Sequence, residues 1–209
     1  MTTHPIYRTA DWRSLLINAV APLELGARAL TINNFRDLDD ETPRPGRTAA
    51  VLVPILDLPR PELLLTRRAD HLKQHPGQVS FPGGAAERND PTGVSTALRE
   101  AHEEIGLEPA SVTPVGFLDR FDSVSDYRVL PVVGLVKPPE SWKLDLNEVA
   151  EVFTVPMDVV LDQGQYREHS IERDGIRFTY HSLDWQGRNI WGLTAAMMLN
   201  LQYRISRLA

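Results

Sequence analysis

Arg99-Glu100-Ala101-His102-Glu103-Glu104-Ile105-Gly106-Leu107 is the stretch on which the reading of this chain turns. It closes a segment, Pro91 to Glu104, in which Val94, Ala97, Leu98, Ala101 and the following Ile105 recur at helical spacing. Asp90 or Thr92 can cap the start of such a helix, and Gly106 stands where a helix stops. Glu100, Glu103 and Glu104 then stand at i, i+3 and i+4 and share one face. Like charges so placed repel slightly. A hard divalent cation reverses that cost, because carboxylate oxygens suit Mg2+ or Mn2+. The plain alternative is a solvated acidic face with Arg99 pairing locally. Upstream lies Phe81-Pro82-Gly83-Gly84, whose paired glycines let the backbone approach a ligand closely. Glycines and glutamates together form a pattern that neither forms alone.

Outward from this stretch the chain reads as mixed strands and helices. Ala49 to Leu56 and Glu62 to Thr66 are apolar runs around a Pro-rich turn and predict two strands. Val115 to Leu118, Tyr127 to Val136, Glu151 to Val155 and Ile176 to Leu183 predict four more. Gly192 to Ser206 predicts a final helix with Leu193, Ala196, Met197, Leu201 and Ile205 on its apolar face. That order predicts an α/β fold with a sheet covered on both sides. Before it, Trp12 to about Leu30 carries apolar residues at helical spacing, interrupted by Pro22. Asn33 to Arg47 is polar and reads as a linker. The chain therefore divides into an N-terminal helical extension with its linker, residues 1–46, and a domain over residues 47–209. The apolar N-terminal helix is a packing appendage or a candidate homodimer contact.

Composition narrows the function. With 209 residues, 42% hydrophobic and 24% charged, the chain can bury a core unaided, which excludes disordered and low-complexity classes. The absence of cysteine excludes disulfides, thiolate metal sites and a cysteine nucleophile. No Gly-any-Ser-any-Gly nucleophile turn is present either, so no covalent intermediate is implied. The 22 basic and 28 acidic residues leave a net charge of −6, which argues against bulk nucleic-acid binding. A small anion in a local basic pocket remains compatible with it. Met1 to Arg13 lacks a signal-peptide core. The apolar run Ala49 to Leu56 falls far short of the ~20 residues of a membrane span. The expectation is a cytoplasmic protein with no membrane or nucleic-acid partner.

The glycines and the acidic helix resemble the signature of the Nudix hydrolases: Gly, five residues, Glu, seven residues, Arg-Glu-apolar-any-Glu-Glu-any-Gly-apolar. Gly84, Arg99, Glu100, Ala101, Glu103, Glu104, Gly106 and Leu107 match it. Asp90 stands where Glu is usual, with one extra residue before Arg99, and Glu87 is the other acid near that position. The resemblance implies the Nudix α/β/α sandwich, a mixed sheet between helices. It also implies a loop–helix–loop that binds Mg2+ or Mn2+. Glu100 and Glu104 are then the main ligands, Glu103 supports a second ion or a bridging water, and the carbonyl of Gly83 is a further ligand. Arg99 would orient a glutamate by a charge-assisted hydrogen bond.

A second motif lies upstream: Leu64-Leu65-Thr66-Arg67-Arg68-Ala69, then Lys73, then Gly77-Gln78-Val79-Ser80-Phe81-Pro82-Gly83-Gly84. It resembles the extra signature of the coenzyme A pyrophosphatase branch. Ala69 replaces Ser, and Lys73 replaces Arg, which keeps the charge but not the bidentate geometry. Arg67, Arg68, Lys73 and Gly84 are the candidate substrate-binding residues, since coenzyme A carries a diphosphate and a 3′-phosphate. His71, His75 and His102 read as surface residues. The implied reaction is metal-dependent hydrolysis of coenzyme A to 3′,5′-ADP and 4′-phosphopantetheine, with Glu103, Glu148 or Glu151 taking the water's proton. ADP-ribose or NADH offers the same anhydride. A non-catalytic binding module of this fold would lack metal glutamates, and all three are present. The resemblance runs from about Arg47 to the C-terminus.

Overall fold

The computed structural model describes residues 12–25, 32–34, 47–123, 126–173 and 176–208. In chain order its elements are helix α1 (Trp12–Ala19) and strands β1 (Ile32–Asn34), β2 (Arg47–Leu56), β3 (Glu62–Arg68), β4 (Val79–Ser80) and β5 (Gly83–Ala85). Helix α2 (Gly93–Ile105) follows, then β6 (Val112–Phe117), β7 (Arg120–Asp122), β8 (Tyr127–Val136) and β9 (Val149–Pro156). The chain ends with the short helix α3 (Met157–Val160), strands β10 (Tyr166–Arg173), β11 (Ile176–Trp185) and β12 (Arg188–Trp191), and helix α4 (Gly192–Ser206).

Strands β2 and β8 form the centre of the larger sheet because their residues are apolar on both faces. They pair in parallel along ten residues, from Arg47 opposite Tyr127 to Leu56 opposite Val136. A parallel pair of this kind has to be covered on both sides. On one side α2 buries Ala97, Ala101 and Ile105 against Leu52, Leu64, Val132 and Val136. On the other, α1, α3 and α4 bury Leu16, Met157, Val160, Met198, Leu201 and Ile205 against Val53, Ile55, Leu63, Leu65 and Val133. The α/β/α sandwich expected from the sequence is present. Towards the site lies β3, which pairs antiparallel with β2 at Glu62 and Leu63, with β9 along its length and with β4 at Thr66 and Arg67. Among the described residues no helix is long and apolar enough to cross a membrane.

Several boundaries differ from the sequence reading for local reasons. Helix α2 begins at Gly93 because Thr92 caps it, its hydroxyl accepting the Ser95 N–H at 3.1 Å. Asp90 is drawn instead to Arg99. Gly106 ends the helix at φ 66°, with its N–H on the His102 carbonyl at 2.9 Å and the Leu107 N–H on the Ala101 carbonyl at 3.3 Å. The N-terminal helix stops at Ala19, and Leu23–Leu25 form only a 3-10 turn beyond Pro22. Residues 26–31 and 35–46 lie outside the described residues, whereas Ile32–Asn34 pair in parallel with β7 rather than belonging to a linker. Trp12, Leu16 and Ala19 face this chain's own core, and Ile17 is the large apolar residue that α1 leaves exposed.

Of the three strands of the second sheet, β10–β11–β12, the sequence pattern shows one. Only Ile176 to Leu183 reads as a strand in sequence, because Tyr166–Arg173 is mostly polar, with Tyr166 and Ile171 its apolar residues. The β11–β12 turn is Gln186-Gly187, both with positive φ (53° and 79°), the combination that two-residue hairpins need. Leu183 and Ile190 then anchor this sheet in the core on the α4 side.

Candidate active site

Helix α2 sorts its three glutamates by depth. Glu104 is one turn on from Ala101 and Glu100, on the buried face, and is only 5% exposed. Glu100 is partly buried, and the Glu103 side chain is 57% exposed. Burial pushes the Glu104 carboxyl up to about 8, with the charges of Glu100 and Glu148 adding to the shift. The Gly83 N–H, 3.3 Å from Glu104 Oε2, and the charge of Arg68 partly oppose it. Glu100 is also raised, again chiefly by burial. Glu100 and Glu104 of α2 thus share a partly desolvated space, and the charge of the exposed Glu148, just before β9, acts on both.

Arg99 organises the rim. Its Nε and Nη2 grip the two oxygens of Asp90 at 3.1 and 2.9 Å. Its Nη1 donates to Glu100 Oε1 and to Glu103 Oε2, both at 2.9 Å, and Nη2 also reaches the Ala85 carbonyl at 3.0 Å. The hydrogen bonds from Arg99, followed by the Glu87 N–H, hold the Asp90 carboxyl well below the usual carboxylate range. Asp90, not Glu87, is thus the acid that meets Arg99. The guanidinium holds Glu100 and Glu103 on the same flank while Glu104 stays with Gly83.

The glycine pair is shaped around these groups. A methyl on Gly84 would stand 2.7 Å from the Glu100 carboxyl atoms. At Gly83, with φ 155°, it would stand 2.5 Å from the Ala50 carbonyl oxygen and Val51 Cα. Only glycine lets β5 lie against both β2 and the acidic helix. Gly83 touches Glu104 through its N–H.

The expected cations do not share one environment. Arg68 acts electrostatically on Glu104, and its buried Nε has no hydrogen-bond partner among the described residues. Arg67 turns away, pairing with Asp70 at 2.6 Å and Glu151 at 3.7 Å. Lys73 is exposed on the loop between β3 and β4, as are His71 and His75, and His102 is exposed on α2. Of the later acids, the charge of Glu148 acts on both Glu100 and Glu104, whereas Glu151 is held by Arg188 and Arg67, which lower its pKa, Arg188 most. Arg188 was not identified from sequence: it follows a hairpin turn and carries no motif.

The donor set suits a hard cation. It consists of carboxylate and main-chain oxygens, it lacks sulfur and imidazole, and its buried member is costly to ionise without a compensating positive charge. Among the described residues no three Asp, Glu or His side chains already converge as a cage. Arg99 and the Gly83 N–H occupy the carboxylates instead.

This combination of fold and acidic helix defines a class, and comparison with known proteins agrees. A profile of the NUDIX domain matches residues 46–175. A protein of Pectobacterium atrosepticum named Uncharacterized Nudix hydrolase NudL is 45% identical over 160 residues, covering 77% of this chain and 83% of that one. A Yersinia pestis protein of the same name is 43% identical, covering 77% and 80%. A solved MutT/nudix family protein from Enterococcus faecalis has a TM-score of 0.49 at 16% identity, over 81% of this chain and 66% of that one. The chain belongs to the Nudix hydrolase family and is a pyrophosphohydrolase of the kind that acts on nucleoside diphosphate derivatives. Such enzymes generally use divalent cations.

Proposed function

We propose that this enzyme hydrolyses the diphosphate of coenzyme A, with Mg2+ or Mn2+, to 3′,5′-ADP and 4′-phosphopantetheine. The observation that carries the reading is Arg68. It occupies the Arg position of the Leu64–Gly84 motif, and its buried Nε has no hydrogen-bond partner among the described residues. A guanidinium with an N–H still to satisfy there suits a diphosphate oxygen. Lys73, on the exposed loop, is assigned to the rest of the anion, and Gly84 keeps the backbone open to it; Arg67, sequestered by Asp70 and Glu151 on the other face of the sheet, is left out of that assignment.

Glu100, Glu104 and the Gly83 carbonyl are assigned to the metal, with Glu103 in support. When bound, the metal supplies Lewis-acid stabilisation of the diphosphate and a more acidic water. Arg99, fixed by Asp90, orients Glu100 and Glu103. Of the candidate bases, Glu148 is favoured because it alone bears on the Glu100–Glu104 pair from a separate loop. It accepts the proton of the attacking water. Glu103 is tied to Arg99, and Glu151 to two arginines.

Residues 47–209 form the proposed hydrolase unit, and 1–46 an appendage whose α1 braces α4. A homodimer contact through α1 would rest on Ile17. The absence of cysteine suits a cytoplasmic setting.

The test is product analysis with coenzyme A, ADP-ribose and NADH, each with Mg2+, Mn2+ or EDTA. Metal-dependent 3′,5′-ADP from coenzyme A is expected. Cleavage of ADP-ribose or NADH alone would overturn the substrate and keep the chemistry.

A further inference from the structure

The ladder between β3 and β9 breaks at one place. Thr66 lies opposite Val152 and Arg67 opposite Glu151, but Arg68 lies opposite Val149. Ala150 is therefore the extra residue of a bulge. Bulges re-aim side chains, because one added residue resets which face the following ones take. Here the reset coincides with a division of labour. Arg67 follows Leu65 and Glu151 precedes Phe153 at two-residue spacing, both on the α4 side of the sheet. Arg68 pairs with Val149, whose side chain lies in the α2-side core, and bears on Glu104. Beyond the bulge the Ala69 N–H takes the Glu148 carbonyl at 2.8 Å.

Opposite this bulge, on the α4 side, runs a chain of charges. Arg188 of β12 bonds Glu151 Oε1 through Nη2 and, at 3.2 Å, through Nε. Its guanidinium also stacks 4.7 Å from the Phe153 ring centre. Glu151 Oε2 faces Arg67 Nε at 3.7 Å, and Arg67 Nη1 donates to Asp70 at 2.6 Å. Both oxygens of Glu151 are thus engaged by guanidinium groups. Nothing in the catalytic assignment uses Arg188, yet it ties the second sheet to the one irregular point of the β3–β9 ladder.

We propose that Arg188 is a positioning residue: through Glu151 and Arg67 it fixes the β3–β9 bulge and so aims Arg68 and Glu148 at the acidic face of α2. The proposal rests on the metal-dependent reading of that face. It removes Glu151 from the candidate bases and makes it a strut.

The test uses Arg188→Met, which keeps the apolar stem over Phe153, with Arg188→Lys and Glu151→Gln alongside. Mn2+ affinity is measured by calorimetry on each folded variant without substrate. Turnover is measured on whichever nucleoside diphosphate derivative the wild type cleaves. Misaiming groups by a fraction of an ångström in Arg188→Met should lower kcat about tenfold and weaken Mn2+ binding about threefold. Arg188→Lys should recover most of both. Glu151→Gln still accepts from Arg188 and should cost only about threefold in kcat, with the acid limb of the kcat/KM profile unmoved. Wild-type Mn2+ affinity and turnover in folded Arg188→Met would overturn the proposal. So would an inactive, folded Glu151→Gln with an acid limb that rises in Arg188→Met, since that behaviour belongs to a base relieved of its cation. If the wild type spares coenzyme A, the substrate reading fails, and the Mn2+ titration still decides this one.

Discussion

Glu104→Gln in metal-free protein separates the electrostatic cost of the site from its chemistry. The Glu104 carboxyl has an ordinary value of 4.5 and is pushed up to about 8 by burial first and by Glu100 and Glu148 next. An acid raised on folding is favoured in the folded state while it is protonated. Its contribution is complete below about 4.5, and it is lost progressively as pH rises through about 8. At pH 7 the unfolded chain is ionised while the folded site resists ionisation. Two and a half units at 1.36 kcal/mol each give a cost of about 3 kcal/mol, an upper bound because a site opened to water relaxes. Glutamine keeps the shape, leaves an amide oxygen for the Gly83 N–H, and cannot ionise. Chelated wild type should therefore lose about 1–3 kcal/mol between pH 5 and pH 8, a slope that the variant lacks. For a chain of this size that corresponds to roughly 3–10 °C in Tm. The assay is urea or thermal unfolding in EDTA across that range. Adding Mg2+ or Mn2+ should then stabilise the wild type far more than the variant, and the variant's turnover should fall at least about a hundredfold. Parallel pH–stability curves for the two proteins would refute the buried, mutually repelling carboxylates on which this reasoning stands.

The two glycines should fail in different ways. Gly83→Ala drives a methyl into the β2 backbone and should cost about 2 kcal/mol or more of stability by urea unfolding. Gly84→Ala meets only the movable end of Glu100, so it should unfold within about 1 kcal/mol of wild type while kcat drops about a hundredfold; full activity would refute the contact. Arg68→Ala should raise KM for the cleaved diphosphate by about tenfold or more in steady-state kinetics, with folding little changed. Asp90→Asn removes the fork that fixes Arg99. Because the Asp90 pKa is depressed, its stabilisation is present near neutrality and is lost as pH falls below the ordinary carboxylate range. The variant should accordingly be less stable at pH 7 but converge with wild type in acid melts.

What was legible in the sequence was whatever local pattern determines. Helix α4 runs from Gly192 to Ser206 as its apolar spacing predicts, and β8 from Tyr127 to Val136 as its apolar run predicts. The acidic helix was legible for the same reason, since i, i+3 and i+4 carboxylates must share a flank whatever surrounds them. Their depths were not legible. Glu104 is buried because Ala97 and Ala101 fix which side of α2 meets the sheet, and a carboxylate beside them sinks with that side. Strands β10 and β12 were missed because their residues answer to partners far along the chain. The cationic motif misled in one respect: Arg67 and Arg68 are adjacent in sequence and look like one cluster. Strand alternation sends them to opposite faces, and the bulge at Ala150 fits their partners to that split.

That division bears on how an enzyme of net charge −6 can hold an anion at all. The local field, not the total, is what the substrate meets. Arg67 is neutralised by Asp70 and Glu151, and Arg99 by Asp90, Glu100 and Glu103. These are structural cations whose charge is already satisfied. Arg68 differs, because the carboxylate it faces, Glu104, is the one that burial keeps largely protonated near neutrality. Its charge is therefore least compensated where a diphosphate would lie. Were the acidic face to hold a divalent cation as proposed, Glu104 would ionise to meet it, and the ion would add positive charge next to Arg68. Substrate affinity and metal affinity should then rise together, each lowering the cost of the other through the same buried carboxylate.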